Sequence, residues 1–277
     1  MSSTTWFITG ASSGFGLSFA RYALSKGYNV VATARDPAKL AALQAEVPAQ
    51  VLTTALDVND KASIAAAVEA AKARFGRIDV LINNAGYGIV GAVEETPDTE
   101  LRALMETNFF GAVAVTQAVL PLLRRQGSGT IVNISSLGGQ LSYGGYGAYS
   151  ASKFALEGLS EALALELAPF GVKVMIVEPG AFRTGFAGNA LRHMPVLPPY
   201  EEGLKPVRDF TTGMHETQPG DPLKAAAAID MALRAEKTPL RLQLGEDSVT
   251  AVRSHAEALL ADLAAWEKVG LDTRIDG

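Results

Sequence analysis

Tyr149 and Lys153 stand four residues apart in the run Tyr149, Ser150, Ala151, Ser152, Lys153, within a stretch that reads as helix from about Gly147 to Pro169. On a helix, positions i and i+4 share a face, so phenol and ammonium would look out side by side. A cation next to a phenol favours phenolate and lowers a pKa that starts at about 10. A phenol tuned in this way exchanges a proton near neutral pH, which carbonyl–alcohol interconversion requires. Taken alone, the pair equally describes a Tyr–Lys contact on a solvated helix face, because seven tyrosines give several chances of a lysine four places on. Its meaning depends on its neighbours.

The second chemical feature is a glycine turn. Trp6 to Thr9 reads as a short apolar strand that runs into Gly10, Gly14 and Gly16, and a helix follows from Leu17 to Lys26. Backbone N–H groups and the helix dipole both point at whatever occupies such a turn, which suits a phosphate. The spacing is neither Gly-x-Gly-x-x-Gly nor a P-loop. Glycines that merely make a tight turn would look the same. The end of the second strand carries Thr33, Ala34, Arg35 and Asp36. A carboxylate there would hold the ribose hydroxyls of NAD, whereas a guanidinium fork suits a 2′-phosphate. Ala34 offers no carboxylate, and Asp36 reads as an N-cap before Pro37. NADP is therefore expected over NAD, with Arg35 as the phosphate ligand.

The elements that must position these residues alternate strand and helix up to about residue 180. Further strands are read at Asn29 to Thr33, Gln50 to Leu56, Ile78 to Ile82, Thr130 to Ile134 and Val172 to Val177. Helices lie between them, one running from about Asp98 to Arg125 with Gly111 and Pro121 as kink sites. Alternation of this kind means βαβ units and a parallel sheet covered on both faces. The expected fold is a doubly wound, three-layer α/β/α domain of about seven strands, one domain for the whole of 1–277. Residues 181–220 break the pattern with glycines, prolines and scattered large apolar groups, and read as a mobile flap. A helix near Pro222–Ala235, a strand at Leu240–Leu244 and a helix near Val249–Lys268 follow.

Composition excludes several classes. The formal net charge is −5 and no basic block appears, so nucleic acid is not an expected partner. There is no cysteine, hence no disulfide, thiol nucleophile or thiolate metal site, and His193, His215 and His255 share no ligand spacing. No signal peptide or spanning segment is read, so a cytoplasmic protein without a membrane partner is expected.

Together these residues resemble the classical short-chain dehydrogenase/reductase family over roughly residues 5–185. The turn Thr9, Gly10, Ser12, Ser13, Gly14, Phe15, Gly16 is similar to its cofactor turn. Asn83, Asn84, Ala85, Gly86 is similar to its fourth-strand signature, Asp57 and Val58 to the pair beside the adenine, and Pro179, Gly180, Phe182, Thr184 to the segment gripping the nicotinamide end. Asn108, Ser136, Tyr149 and Lys153 match its catalytic tetrad. The resemblance implies Tyr149 as general acid in reduction and base in oxidation. It implies Lys153 tuning the phenol and holding the nicotinamide ribose, and Ser136 polarising the substrate oxygen. Ser135 is assigned to strand-end structure. Asn108 would hold a helix kink and a water that links Lys153 to solvent. Ser13 stands where NADP-using relatives often carry a basic residue, which leaves the 2′-phosphate to Arg35. The chain also continues past its closing strand into another helix, where the family usually ends in a glycine-rich segment.

The implied activity is an NADP(H)-dependent carbonyl–alcohol oxidoreduction in a homo-oligomer, a dimer or tetramer. A substrate pocket walled by Ile89, Val90, Val93, Leu137, Tyr143, Tyr146, Phe182, Phe186, Met194 and Tyr200 would suit a hydrophobic or aromatic ketone, aldehyde or alcohol. Arg183, Arg192, His193, Lys205 and Arg208 leave open a 3-oxoacyl thioester on an anionic carrier. A non-catalytic NADP-binding sensor or scaffold is the remaining alternative.

Overall fold

A computed structural model describes residues 3–275. Its strands are β1 (Thr5–Ile8), β2 (Asn29–Ala34), β3 (Val51–Ala55), β4 (Val80–Asn83), β5 (Gly88–Val90), β6 (Gly129–Ile134), β7 (Val172–Pro179), β8 (Leu191–His193) and β9 (Arg241–Leu244). Its helices are α1 (Gly14–Ser25), α2 (Ala41–Glu46), α3 (Lys61–Phe75), α4 (Asp98–Met105), α5 (Ala112–Gln126), α6 (Gly147–Leu167), α7 (Glu201–Gly213), α8 (Pro222–Arg234) and α9 (Glu246–Leu271). Seven strands make one parallel sheet in the order β3-β2-β1-β4-β6-β7-β9. The order reverses between β1 and β4, and doubly wound sheets bind their ligands outside that point.

Because side chains alternate along a strand, each strand feeds two cores. Trp6, Ile8, Val30, Val132 and Met175 pack with Phe19 of α1 and Ile229 of α8. Phe7, Val31, Leu81, Ile131 and Val174 pack on the other face with Ile64, Val115 and Leu163. The continuous apolar strands are thus explained by cover on both faces.

Residues 98–126 are long and apolar enough to cross a membrane by length and composition alone. Leu104, Val115, Val119 and Leu123 are fully buried within the fold. The stretch is not one regular helix. Between α4 and α5 it widens into a π turn at Glu106–Gly111, a device that re-aims side chains within a helix. A Cβ on Gly111 would lie 2.7 Å from Val58 Cγ2, so only glycine lets the turn approach the end of β3.

The segment from 181 to 220 has elements of its own that the sequence pattern hid. Residues 186–190 form a π turn, β8 pairs in parallel with β5 as a second small sheet, and α7 follows. Pro206 sits inside α7, and it was such prolines and glycines that suggested irregular chain.

Candidate active site

The glycine turn is held open from beneath. Gly10 and Gly14 have φ of 66° and 55°, a region that glycine occupies without strain. A Cβ on Gly16 would stand 2.3 Å from the Gly10 carbonyl oxygen, so the helix can begin this close to the strand only with glycine there. Asn84 at the end of β4 donates to the carbonyls of Thr9 (2.9 Å) and Gly10 (3.2 Å). The Thr9 hydroxyl in turn accepts from the backbone N–H groups of Asn84 and Ala85. Ser13 at the N-cap makes no side-chain cap bond, and no acidic residue occupies the first turn of α1. The helix N-terminus therefore keeps its donors and positive dipole for an anion. A cleft of about 530 Å³ opens beside it, lined by Gly14, Leu17, Arg183, Thr184 and His215 among others. These features fit the phosphates of a dinucleotide. Ser12 and Phe15 flank the turn, and the Phe15 ring packs on Phe182 at 5.2 Å.

Along the same edge, Ala34 is buried, and Arg35 is exposed with no hydrogen bond or ion pair among the described residues. Asp36 accepts from Ala38 N–H at 3.0 Å, the expected cap. Asp57 accepts from Asn59 N–H, and Val58 packs under Gly111. Gly86 borders two of the expected tetrad residues directly: a Cβ there would lie 2.9 Å from Asn108 Oδ1 and 3.9 Å from Lys153 Nζ. Pro179 ends β7, and Gly180 is pressed against the carboxylate of Asp247 at the start of α9, which accepts from Ala181 N–H.

The tetrad converges. Tyr149 and Lys153 lie on one face of α6, with Lys153 Nζ 5.7 Å from the phenol ring centre. Ser136, at the end of β6, accepts from Gly138 N–H at 3.1 Å and hydrogen-bonds the Tyr149 side chain. Asn108 sits in the π turn, clamps Tyr87 through both its N–H and its carbonyl, and donates to Ser152 Oγ at 3.0 Å. Ser152 itself donates to the Tyr149 carbonyl at 2.7 Å. The kink-holding role expected of Asn108 has a geometric basis here. Ser135 is buried and bonds Glu157 at 2.7 Å, away from the site, as assigned.

One expectation is corrected. The phenol of Tyr149 is not lowered overall in the resting protein; burial pushes it up to about 12, against the opposing Ser136 hydrogen bond. Lys153 is buried too, donates to the Ile134 carbonyl at 2.8 Å, and is pushed down to about 8 by loss of solvent, partly offset by Glu157. Desolvation sets the direction for both groups. The resting pair is thus a protonated phenol beside a lysine poised near neutrality.

Sequence reasoning missed the support behind the tetrad. Glu157, one turn beyond Lys153, accepts from Ser135, from Gln140 and from Arg241 of β9 at 3.0 Å. Arg241 also reaches Glu161 and buried Glu178, whose carboxyl is pushed up to about 7 by burial and by Glu157. A Cβ on Gly139 would meet Ser135 Oγ and Glu157 Oε1, so this cluster fixes the loop after Ser136. Deeper still, Asn83 bonds Thr116 and Asn133, and Asn133 bonds Ser160, stitching β4, β6, α5 and α6 together. Buried polar residues spaced along apolar strands were the available signal.

Several expected pocket walls are instead core. Ile89 and Val90 are buried, with Met194 of the flap packed in the same cluster as Ile89, and Phe182 packs with Phe15 and Phe19's cluster on the sheet. Phe186 and Tyr146 do flank Tyr149, with ring centres at 6.0 and 6.5 Å, and Val93 and Tyr143 are exposed. The cations left open for an anionic carrier are largely matched. Arg192 pairs with Glu100 and stacks on Tyr87, Lys205 pairs with Asp209, and Arg208 pairs with buried Glu95.

Comparison with known proteins places this geometry. The model of the short chain dehydrogenase family matches residues 4–194. An oxidoreductase of Botryotinia fuckeliana, BOA17, is 40% identical over 267 residues, covering 96% of this chain and 97% of its own. A 3-ketodihydrosphingosine reductase of Bacteroides thetaiotaomicron is 42% identical over 241 residues, covering 86% of each. The crystal structure of a short-chain dehydrogenase from Streptomyces avermitilis superposes with a TM-score of 0.93 at 50% identity, covering 99% of this chain and 100% of that one. A Burkholderia phymatum short-chain dehydrogenase/reductase in complex with NAD has a TM-score of 0.80 at 26% identity, covering 94% and 95%. A Thermococcus sibiricus alcohol dehydrogenase complexed with 5-hydroxy-NADP has 0.72 at 26%, covering 87% and 95%.

Proposed function

The chain belongs to the short-chain dehydrogenase family of oxidoreductases, and from that premise we propose that it is an NADP(H)-dependent reductase of hydrophobic carbonyl compounds, with Tyr149 as the proton donor. The observation that carries the reading is the meeting of the Ser136 hydroxyl, the Tyr149 phenol and the Lys153 ammonium beside Gly86, on the edge where the glycine turn opens. When bound, the nicotinamide supplies the hydride; the chain's own groups position and polarise.

A substrate oxygen that takes hydrogen bonds from both Ser136 and Tyr149 sits in a pair of donors aimed at the charge that grows as the carbonyl is reduced. The protonated phenol gives its proton to that oxygen, and Lys153 beside it stabilises the phenolate left behind. Asn108 and Ser152 hold the Tyr149 turn of the helix in register. Glu157 keeps a negative charge behind the lysine and favours its ammonium form.

The NADP preference rests on Arg35, which is exposed and has no side-chain partner among the described residues, next to Ala34, which has no carboxylate, while Asp36 uses its own on the helix cap. A hydrophobic substrate is supported by the Phe186 and Tyr146 rings that flank the phenol, and by the 3-ketodihydrosphingosine named for the Bacteroides relative. Pairing of Arg192, Lys205 and Arg208 with carboxylates speaks against a carrier-bound thioester. The flap of residues 181–220 would close over the substrate, the whole chain acting as one domain.

The deciding experiment measures oxidation of NADPH and of NADH against hydrophobic ketones, with the wild type and Tyr149→Phe. The expected result is an NADPH preference and a loss of roughly 100- to 10,000-fold in kcat/KM for the variant, the span of one general acid, with NADPH binding retained. Unchanged turnover in Tyr149→Phe would discard the mechanism, and faster reaction with NADH would discard the role of Arg35.

A further inference from the structure

Helix α9 leaves the body of the protein. Its first turns are anchored: Ser248 is buried and donates to the Glu178 carbonyl, and Asp247 caps Ala181. From Ala256 onward every described residue is exposed. That exposed part carries Leu259, Leu260, Leu263 and Trp266, each more than half exposed. A lone projecting helix of this length is marginal in water unless its apolar face is covered.

The pattern on the face says what would cover it. Val249, Val252, Ala256, Leu259, Leu263 and Trp266 follow one another at alternating steps of three and four, the seam of a two-helix coiled coil. We infer that α9 pairs, antiparallel, with α9 of a second copy of this chain. Charge fixes the orientation. Arg253 and Glu267 flank the seam on the same side, fourteen positions apart. In an antiparallel pair centred on Leu260, each Arg253 faces Glu267 of the second copy, twice over. A parallel pair in register would instead bring Asp262 against Glu267, like against like.

Val249 to Gly270 spans ~33 Å at ~1.5 Å per residue, and a stripe about 140° wide on a solvent-coated helix gives on the order of 550 Å² per copy at most, because Ala251, Val252 and His255 are already half-covered by the body. The pair would thus bury up to about 1,100 Å², at the ~1,000 Å² threshold of a specific interface, so the charge pairing and not area alone sets the partner. A membrane surface is the competing occupant for an amphipathic helix, and such helices are rich in lysine and arginine. Between Glu246 and Leu271 stand five carboxylates (Glu246, Asp247, Glu257, Asp262, Glu267) and two basic side chains (Arg253, Lys268), which disfavours an anionic bilayer.

The absence of cysteine makes the test clean. Single-cysteine variants Leu260→Cys, on the predicted axis, and Ala265→Cys, on the opposite face, are treated with a short bis-maleimide linker. Cross-linked dimer is expected from Leu260→Cys and not from Ala265→Cys. Sedimentation equilibrium of the full chain is expected to give half the wild-type mass for Leu263→Glu and for Arg253→Glu. The double exchange Arg253→Glu with Glu267→Arg should restore the wild-type mass. Equal cross-linking at the two positions, or a mass that none of these changes moves, would overturn the inference. So would wild-type protein floating with phosphatidylcholine–phosphatidylglycerol vesicles while Leu263→Glu does not.

Discussion

Replacing Glu95 by glutamine should unlatch the flap and leave the sheet intact. The Glu95 side chain is fully buried and accepts four hydrogen bonds: from Ala92 N–H (2.7 Å), from Leu197 N–H (2.9 Å), and two from the Arg208 guanidinium. Two of these donors, Leu197 and Arg208, belong to the flap. Burial by itself pushes this carboxyl up, but the two backbone N–H groups and Arg208 together outweigh it, and the net shift is downward. Glutamine keeps the shape and one acceptor oxygen. Its amide turns a donor toward either Ala92 N–H or Leu197 N–H, and leaves Arg208, only 15% exposed, without a counter-charge.

Breaking a buried pair from one side costs about 3–5 kcal/mol. Arg208 can escape to water when the flap lifts, so the lower end applies to the opening reaction. About 3 kcal/mol is a factor of roughly 100 in an equilibrium constant. Hydrogen exchange reads it directly. Amides of 191–213, with Met194 N–H bonded to Val90 as the reporter, should lose about two orders of magnitude of protection by this conversion, while those of β6 and β7 keep theirs. The same opening follows from acid: a carboxyl held low contributes its full stability above the ordinary carboxylate range and loses it as pH falls through the depressed value. Equal protection of the flap in wild type and variant would refute the clasp. Protection lost evenly through the sheet would mean that Glu95 serves global stability instead.

Further outcomes are expected at the site itself. Gly16→Ala places a methyl 2.3 Å from the Gly10 carbonyl, so dinucleotide affinity measured by calorimetry should fall at least ~10-fold, the equivalent of only ~1.4 kcal/mol, while the apo fold persists; wild-type affinity would refute the cradle. With Tyr149 up at about 12 the phenol keeps its proton across neutral pH, so reduction at saturating cofactor should be flat below the Lys153 value of about 8, whereas alcohol oxidation, which needs the phenolate, should climb with pH in that range. Because Lys153 is pushed down to about 8, cofactor affinity of the free enzyme should decline as pH rises through that value. Glu157→Gln removes the charge that supports the ammonium and should move this decline to lower pH; an unmoved profile would confine Glu157 to packing.

The sequence made the sheet and the tetrad legible because both are written in local patterns. Apolar runs such as Val30–Ala32 and Ile131–Val132 alternate with helices, and a strand buried on both faces has few other readings. Tyr149 and Lys153 share one helix, so their spacing is already a distance. Glu95 and Arg208 are the opposite case: 113 positions apart, one before α4 and one on α7, each an ordinary surface charge until the flap folds over. The pairing of β5 with β8 was hidden in the same way, since three-residue strands such as Gly88–Val90 carry too little pattern to be read. The error over Tyr149 was of another kind. Proximity to a cation is visible in sequence, but desolvation is a sum over everything that surrounds the phenol, and it reversed the sign.

That reversal bears on why the tetrad needs so much behind it. A protonated phenol and a lysine poised near 8 are both paying for burial, and neither would stay in place if the cavity relaxed around it. Asn108 and Ser152 tie the Tyr149 turn to the π turn, Ile134 holds the Lys153 ammonium by its carbonyl, and Glu157 with Arg241 locks the loop that presents Ser136. Asn108, Ile134 and Arg241, from the π turn, β6 and β9, meet Ser152, Lys153 and Glu157 on α6, the helix that carries Tyr149. Each is a hydrogen bond to a group whose burial would otherwise go uncompensated, and so the same contacts that stabilise the fold also fix the reacting oxygens where a substrate must find them.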